Sequence, residues 1–142
     1  MEYQSNSEQD TKKIAQKITA NLQGGDIVLL YGELGTGKST FTRGVAEYFK
    51  ITKNITSPTF TLMNIYPITN NKIRQLIHID TYRLENEQQL TEVGAEDYIG
   101  SPDTICFVEW PEKLSILLQN KKVISIKIIC QEKNQRKIII SD

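Results

Sequence analysis

Residues 27–39 read Ile27-Val28-Leu29-Leu30-Tyr31-Gly32-Glu33-Leu34-Gly35-Thr36-Gly37-Lys38-Ser39: an apolar run that breaks into glycines and ends on a lysine and a hydroxyl. The run is short, continuous and bounded by Gly24-Gly25 on one side and a glycine-rich turn on the other. That predicts a strand buried on both faces. Beyond the turn, Lys38 to Phe49 carries Phe41, Val45 and Phe49 on one stripe, the spacing of a core-facing helix. The segment from Gly32 to Ser39 satisfies G-x-x-x-x-G-K-[ST] at every fixed position. Glycines let the backbone curl until successive N–H groups face inward as an anion nest. The helix that begins there adds its own unpaired N–H groups and the positive end of its dipole. Lys38 is then placed for β and γ phosphates, and the Ser39 hydroxyl for Mg²⁺. A glycine turn that merely starts a helix is the blander reading; the buried strand before it and the amphipathic helix after it favour a phosphate loop. The expected nucleotide contacts are Glu33, Leu34, Gly35, Thr36, Gly37, Lys38, Ser39 and Thr40.

Working outward, Ile14, Ala15, Ile18 and Leu22 predict a helix from Asp10 or Thr11 to Leu22, capped by Ser7 or Asp10 and stopped by Gly24-Gly25. Residues 1–9 are polar and read as a poorly ordered start. Thr59 to Ile68 and Ile73 to Asp80 are rich in β-branched and aromatic residues and pair as a hairpin across Thr69-Asn70-Asn71. Glu85 to Tyr98 reads as one or two short helices interrupted by Gly94. Ile105 to Val108 is another buried strand, and Leu114, Leu117 and Leu118 mark a short helix after Pro111. Val123 to Cys130 and Lys137 to Ile140 face each other across Lys133-Asn134-Gln135. The predicted fold is a single α/β domain of the P-loop NTPase-like type, a mixed sheet flanked by helices.

Two apolar runs end in a carboxylate: Leu76-Ile77-His78-Ile79-Asp80 and Ile105-Cys106-Phe107-Val108-Glu109. In open α/β sheets ligands sit beyond the carboxyl ends of the parallel strands, so Asp80 and Glu109 are expected to converge on the metal or on the attacking water. The residues leave open which acid does which. A solvated or turn-capping acid is the alternative for each. Ser57-Pro58-Thr59-Phe60-Thr61 reads either as a hydroxyl-rich loop that senses the γ-phosphate or as a plain turn and strand. His78 reads as a packed core residue without chemistry. Trp110, which follows Glu109, is placed to stack on a base or on another protein, and Tyr82 and Arg83 ground the loop after Asp80 or face a partner.

Taken in order, these motifs resemble the TsaE (YjeE) family. The resemblance runs from about Thr11 to the last strand. It rests on Gly25-Asp26, on the phosphate loop continuing into Phe41-Thr42-Arg43-Gly44, and on Ser57-Pro58-Thr59-Phe60-Thr61-Leu62. His78-Ile79-Asp80-Thr81-Tyr82-Arg83-Leu84, Glu92-Val93-Gly94 and Val108-Glu109-Trp110-Pro111 complete it. Thr36 and Ser39 stand where Ala and Thr are frequent in the family, and both exchanges keep a small residue or a hydroxyl. The resemblance implies a cytoplasmic ATPase that binds ATP with Mg²⁺, turns it over slowly alone, and works with the TsaB and TsaD proteins. Those partners place threonylcarbamoyl on the adenosine beside the anticodon in tRNAs that read ANN codons, so tRNA is an indirect partner. It further implies that Lys38 binds phosphate, that Ser39 binds the metal, and that Asp80 and Glu109 serve metal and hydrolysis. Thr11 and Trp110 are implied to lie near the nucleotide base.

Composition narrows the alternatives. Lys plus Arg and Asp plus Glu are 17 each, so net charge does not argue for direct nucleic-acid binding. No stretch approaches the roughly 18 apolar residues of a membrane span, and the polar, acidic beginning resembles no targeting segment. Cys106 and Cys130 lie in apolar runs without metal-ligand spacing and read as buried free thiols. A small-molecule kinase is the first rival, but Arg43, Arg74, Arg83 and Arg136 are scattered rather than gathered into a lid. A GTP switch lacks an Asn-Lys-x-Asp segment, Thr52-Lys53-Asn54 having no acid at the right spacing. A module with a purely structural nucleotide remains open.

Overall fold

The computed structural model describes residues 1–33, 35–52, 63–69, 72–82 and 84–141. The expectations for Leu34, Arg83 and the segment 53–62, with its hydroxyl-rich loop, lie outside the described residues, as does the tip of the predicted turn at Asn70-Asn71. In chain order the elements are β1 (Glu2–Ser5), α1 (Glu8–Thr19), β2 (Ile27–Tyr31), α2 (Lys38–Tyr48), β3 (Met63–Pro67), β4 (Gln75–Asp80), α3 (Gln88–Glu92), β5 (Thr104–Glu109), β6 (Val123–Cys130) and β7 (Arg136–Ser141). Short 3-10 turns occupy Ala95–Asp97 and Pro111–Lys113. The strands form one seven-stranded sheet in the order β1-β7-β6-β2-β5-β4-β3. Its middle, β6-β2-β5-β4, is parallel, and β3, β7 and β1 add antiparallel strands at the two edges.

Side chains of a strand alternate between faces, so β2 and β5 feed two cores. Val28, Leu30, Ile105 and Phe107 pack with Phe41 and Val45 of α2 and with Ala15 and Ile18 of α1. Ile27, Leu29, Cys106 and Val108 pack on the other side with Leu84, Leu90, Ala95 and Leu114. Ser7 caps α1, its hydroxyl accepting the Asp10 N–H at 3.1 Å. The helix ends at Thr19 rather than running to Leu22, and the Asp26 carboxylate accepts the Gln23 N–H at 2.7 Å to organise the turn into β2. Gly44 is where α1 crosses α2: a Cβ there would lie 2.8 Å from the Ala15 methyl and 2.9 Å from the Lys12 backbone. The crossing therefore depends on the missing side chain, which brings α2 close enough to carry its first turn up to the end of β2.

Three expectations need correction. Residues 2–5 are not a loose start but an edge strand in register with β7, Glu2 opposite Ile139 and Ser5 opposite Arg136, and Ser5 is buried. Edge pairing needs only backbone groups, so a polar sequence gives no periodic signal for it. Cys130 is exposed, whereas Cys106 is buried and free as expected, with burial pushing its thiol up to about 12. The helix expected after Pro111 is a single 3-10 turn, Pro111–Lys113, followed by turns, and Leu114 is buried in the same core as Leu29. Among the described residues no helix is long and apolar enough to cross a membrane.

Candidate functional site

The carboxyl ends of β2, β4 and β5 and the start of α2 meet at one edge of the sheet. β4 and β5 run side by side with Asp80 directly opposite Glu109, so the two apolar runs do bring their terminal acids together. The glycine loop passes in front of them. Gly37 caps α2 in the left-handed region at φ 110°, and Gly35 has φ 81°, conformations that strongly favour glycine. Within the loop the Glu33 carbonyl accepts from the Thr36 hydroxyl at 2.9 Å and from the Thr36 N–H at 3.2 Å, closing a tight turn.

Lys38, Ser39, Thr40, Asp80, Glu109 and Trp110 line one cleft of about 250 Å³ together with Gly35 and Gly37. The Lys38 ammonium donates to the Gly32 carbonyl at 2.6 Å and sits 3.7 Å from the centre of the Trp110 ring. Burial lowers its pKa below the usual lysine value, and the carboxylates of Glu109, Asp80 and Glu112 oppose that shift by favouring the charged form. Trp110 holds a left-handed backbone at φ 58° and packs against Tyr82 with ring centres 5.1 Å apart. The Thr81 hydroxyl donates to the Trp110 carbonyl, and Lys113 donates to the carbonyls of Tyr82 and Leu84 at 3.0 and 2.8 Å. The chain after Asp80 is thus pinned to the chain after Glu109.

A second cleft, of about 360 Å³, opens on another side of the glycine loop and is lined by Ser7, Glu8, Thr11, Gly35, Gly37, Thr40, Asn134 and Arg136. Thr11 therefore flanks the loop but does not share a cleft with Trp110; its buried hydroxyl lies 2.7 Å from that of Ser5. Glu33 and Thr36 face a third hollow, with Tyr31, Trp110, Glu112 and Lys127.

The model of the family described as "Threonylcarbamoyl adenosine biosynthesis protein TsaE" matches residues 5–138. The chain belongs to the TsaE family. It is similar to the tRNA threonylcarbamoyladenosine biosynthesis protein TsaE of Bacillus subtilis, 36% identical over 115 residues that cover 81% of this chain and 69% of the relative. The TsaE protein of Rickettsia typhi is 38% identical over 137 residues, covering 86% of this chain and 91% of its own. The crystal structure of Bacillus subtilis YdiB matches with a TM-score of 0.71 at 29% identity, over 97% of this chain and 82% of that one.

Against this TsaE framework, two side chains stand out that the sequence did not single out. His78 is not merely packed: its Nε2 lies 2.7 Å from Glu109 Oε2, both residues being buried. Among the described residues the other ring nitrogen, Nδ1, is buried without a hydrogen-bond partner. The available signal was parity, since His78 and Asp80 share a face; the partner follows only from the β4–β5 register, in which Phe107 faces His78 and Glu109 lies two residues on. Arg136 donates from Nε to the Thr36 carbonyl at 2.8 Å and braces the glycine loop from β7. No local pattern announces a contact across 100 residues of chain.

Proposed function

We propose that this TsaE-family chain binds ATP with Mg²⁺, hydrolyses it slowly, and serves the synthesis of threonylcarbamoyladenosine in tRNA as an accessory ATPase to TsaB and TsaD. The names of its relatives support the pathway. The observation that carries the chemistry is the single cleft holding Lys38, Ser39, Asp80 and Glu109 in front of a left-handed glycine loop. Its donors are a hydroxyl and two carboxylates, hard oxygens that suit Mg²⁺, which takes one or two carboxylates and completes its shell with water and substrate phosphates. Ser39 with either Asp80 or Glu109 would hold the ion, which when bound neutralises phosphate charge.

The chain's own groups do the rest. Lys38 is the cation for the β and γ phosphates; to serve them it exchanges the Gly32 carbonyl for a phosphate oxygen. The N–H groups of the loop and of the first turn of α2 cradle the anion. Whichever of Asp80 and Glu109 is not committed to the ion orients the attacking water. Partner dependence follows if TsaB and TsaD bear on the segment carrying Tyr82 and Trp110, since that segment touches Lys38. The transfer of threonylcarbamoyl to the adenosine of ANN-reading tRNAs then belongs to the partners, and this chain acts in the cytoplasm beside them.

The test is Mg²⁺-dependent ATP hydrolysis by the purified chain, first alone and then with TsaB, TsaD and tRNA. Slow turnover that changes on adding the partners is expected. Brisk turnover indifferent to them, with phosphate passed to a small acceptor, would replace this reading with a small-molecule kinase.

A further inference from the structure

We propose that His78 is the positioning residue of Glu109: its Nε2–H holds Oε2 and thereby presents the other carboxylate oxygen to the cleft. This rests on the nucleotide reading for its consequence but not for its geometry. Glu109 is the last residue of β5, where the regular ladder ends, and a glutamate has three side-chain torsions to fix. Nothing in the strand itself fixes them. The imidazole does, from the neighbouring strand, at 2.7 Å and out of water. An ionised carboxylate only accepts, so the bond requires a proton on Nε2. Among the described residues the buried Nδ1 has no hydrogen-bond partner, so the ring's polar contact is the one to Glu109. A histidine kept for packing alone would gain nothing by burying a nitrogen unpaired. One kept to aim a carboxylate needs only one face of the ring to be polar. This is the arrangement by which an outer partner orients a residue that meets a metal, and losing such a partner typically costs about 10- to 100-fold in metal affinity or activity.

His78 is the single histidine of the chain, so its ring nitrogens can be read without assignment. Nitrogen-15 NMR of the folded protein, labelled at histidine, should show a proton held on Nε2. A proton on Nδ1 alone, or the averaged signals of a free imidazole, would overturn the proposal even if the chain hydrolysed no ATP. In parallel, His78→Gln keeps an amide donor at the Nε2 position, and His78→Leu removes it. With His78→Leu the Mg²⁺ concentration at the midpoint of metal-dependent nucleotide binding should rise about 10- to 100-fold, while nucleotide affinity without metal stays within about twofold. His78→Gln should recover most of that loss. Equal metal midpoints for His78→Leu and the parent protein would overturn the proposal, as would equal losses in both variants. If His78→Leu does not fold, the NMR reading of Nε2 still decides.

Discussion

The two clefts that flank the glycine loop share Gly35, Gly37 and Thr40 among the described residues, and beyond that they are built differently. One gathers Lys38 and Ser39 from the start of α2 and Asp80 and Glu109 from the ends of β4 and β5, charges of both signs with a buried histidine behind them. The other is assembled from the two ends of the chain: Ser7, Glu8 and Thr11 from the start of α1, Asn134 and Arg136 from the β6–β7 turn. Its hydroxyls and lone arginine can hold and orient, but it has no pair of acids opposite a lysine. The difference predicts a division of labour: damage to the acid-lined cleft should fall chiefly on turnover, and damage to the other on binding alone.

The severest challenge to that division is Lys38→Ala. Loss of the phosphate cation should cut ATP hydrolysis by about 10³-fold, at the upper range for removing one preorganised electrostatic group, and weaken ATP binding; unchanged turnover in a steady-state assay ends the scheme. Glu109→Ala should lower turnover by at least ~10²-fold while ATP still binds, and a near-normal rate would hand the role to Asp80. Arg136→Gln probes the other cleft. It removes the bond to the Thr36 carbonyl, so the KM for ATP should rise about three- to tenfold with kcat nearly constant; a fall in kcat of the same size would erase the distinction between the clefts. The mildest effect is optical. Trp110 is the sole tryptophan, and its ring faces the Lys38 ammonium, a contact of about 0.5–2 kcal/mol. Drawing Lys38 toward phosphate should change its fluorescence when ATP is added, and a flat signal from protein that binds ATP would detach Trp110 from the site.

Most of the acid-lined cleft is legible in the sequence, for a physical reason. Gly35 and Gly37 set the local backbone geometry that places the Lys38 ammonium and the Ser39 hydroxyl, and all four are written in a contiguous stretch. Asp80 and Glu109 end apolar runs, and a parallel sheet brings such ends to one edge. The second cleft was scarcely legible, because Thr11 and Arg136 meet the loop only once β1 and β7 pair at the sheet edge. Thr11 came from family resemblance, and Arg136 looked like one of several scattered arginines.

By itself the sequence determined the strand–turn–helix unit, the buried run of β5, the identity of the acids that end β4 and β5, and the family resemblance. Each of these depends on nearest neighbours or on a burial pattern that repeats along one segment. Tertiary structure alone decided the register that sets Asp80 opposite Glu109, the 2.7 Å pairing of His78 with that glutamate, the seat of Lys38 between Gly32 and Trp110, and the bracing of the glycine loop by Arg136. Those are pairings between residues distant in the chain, and only the closing of one sheet over two cores selects them.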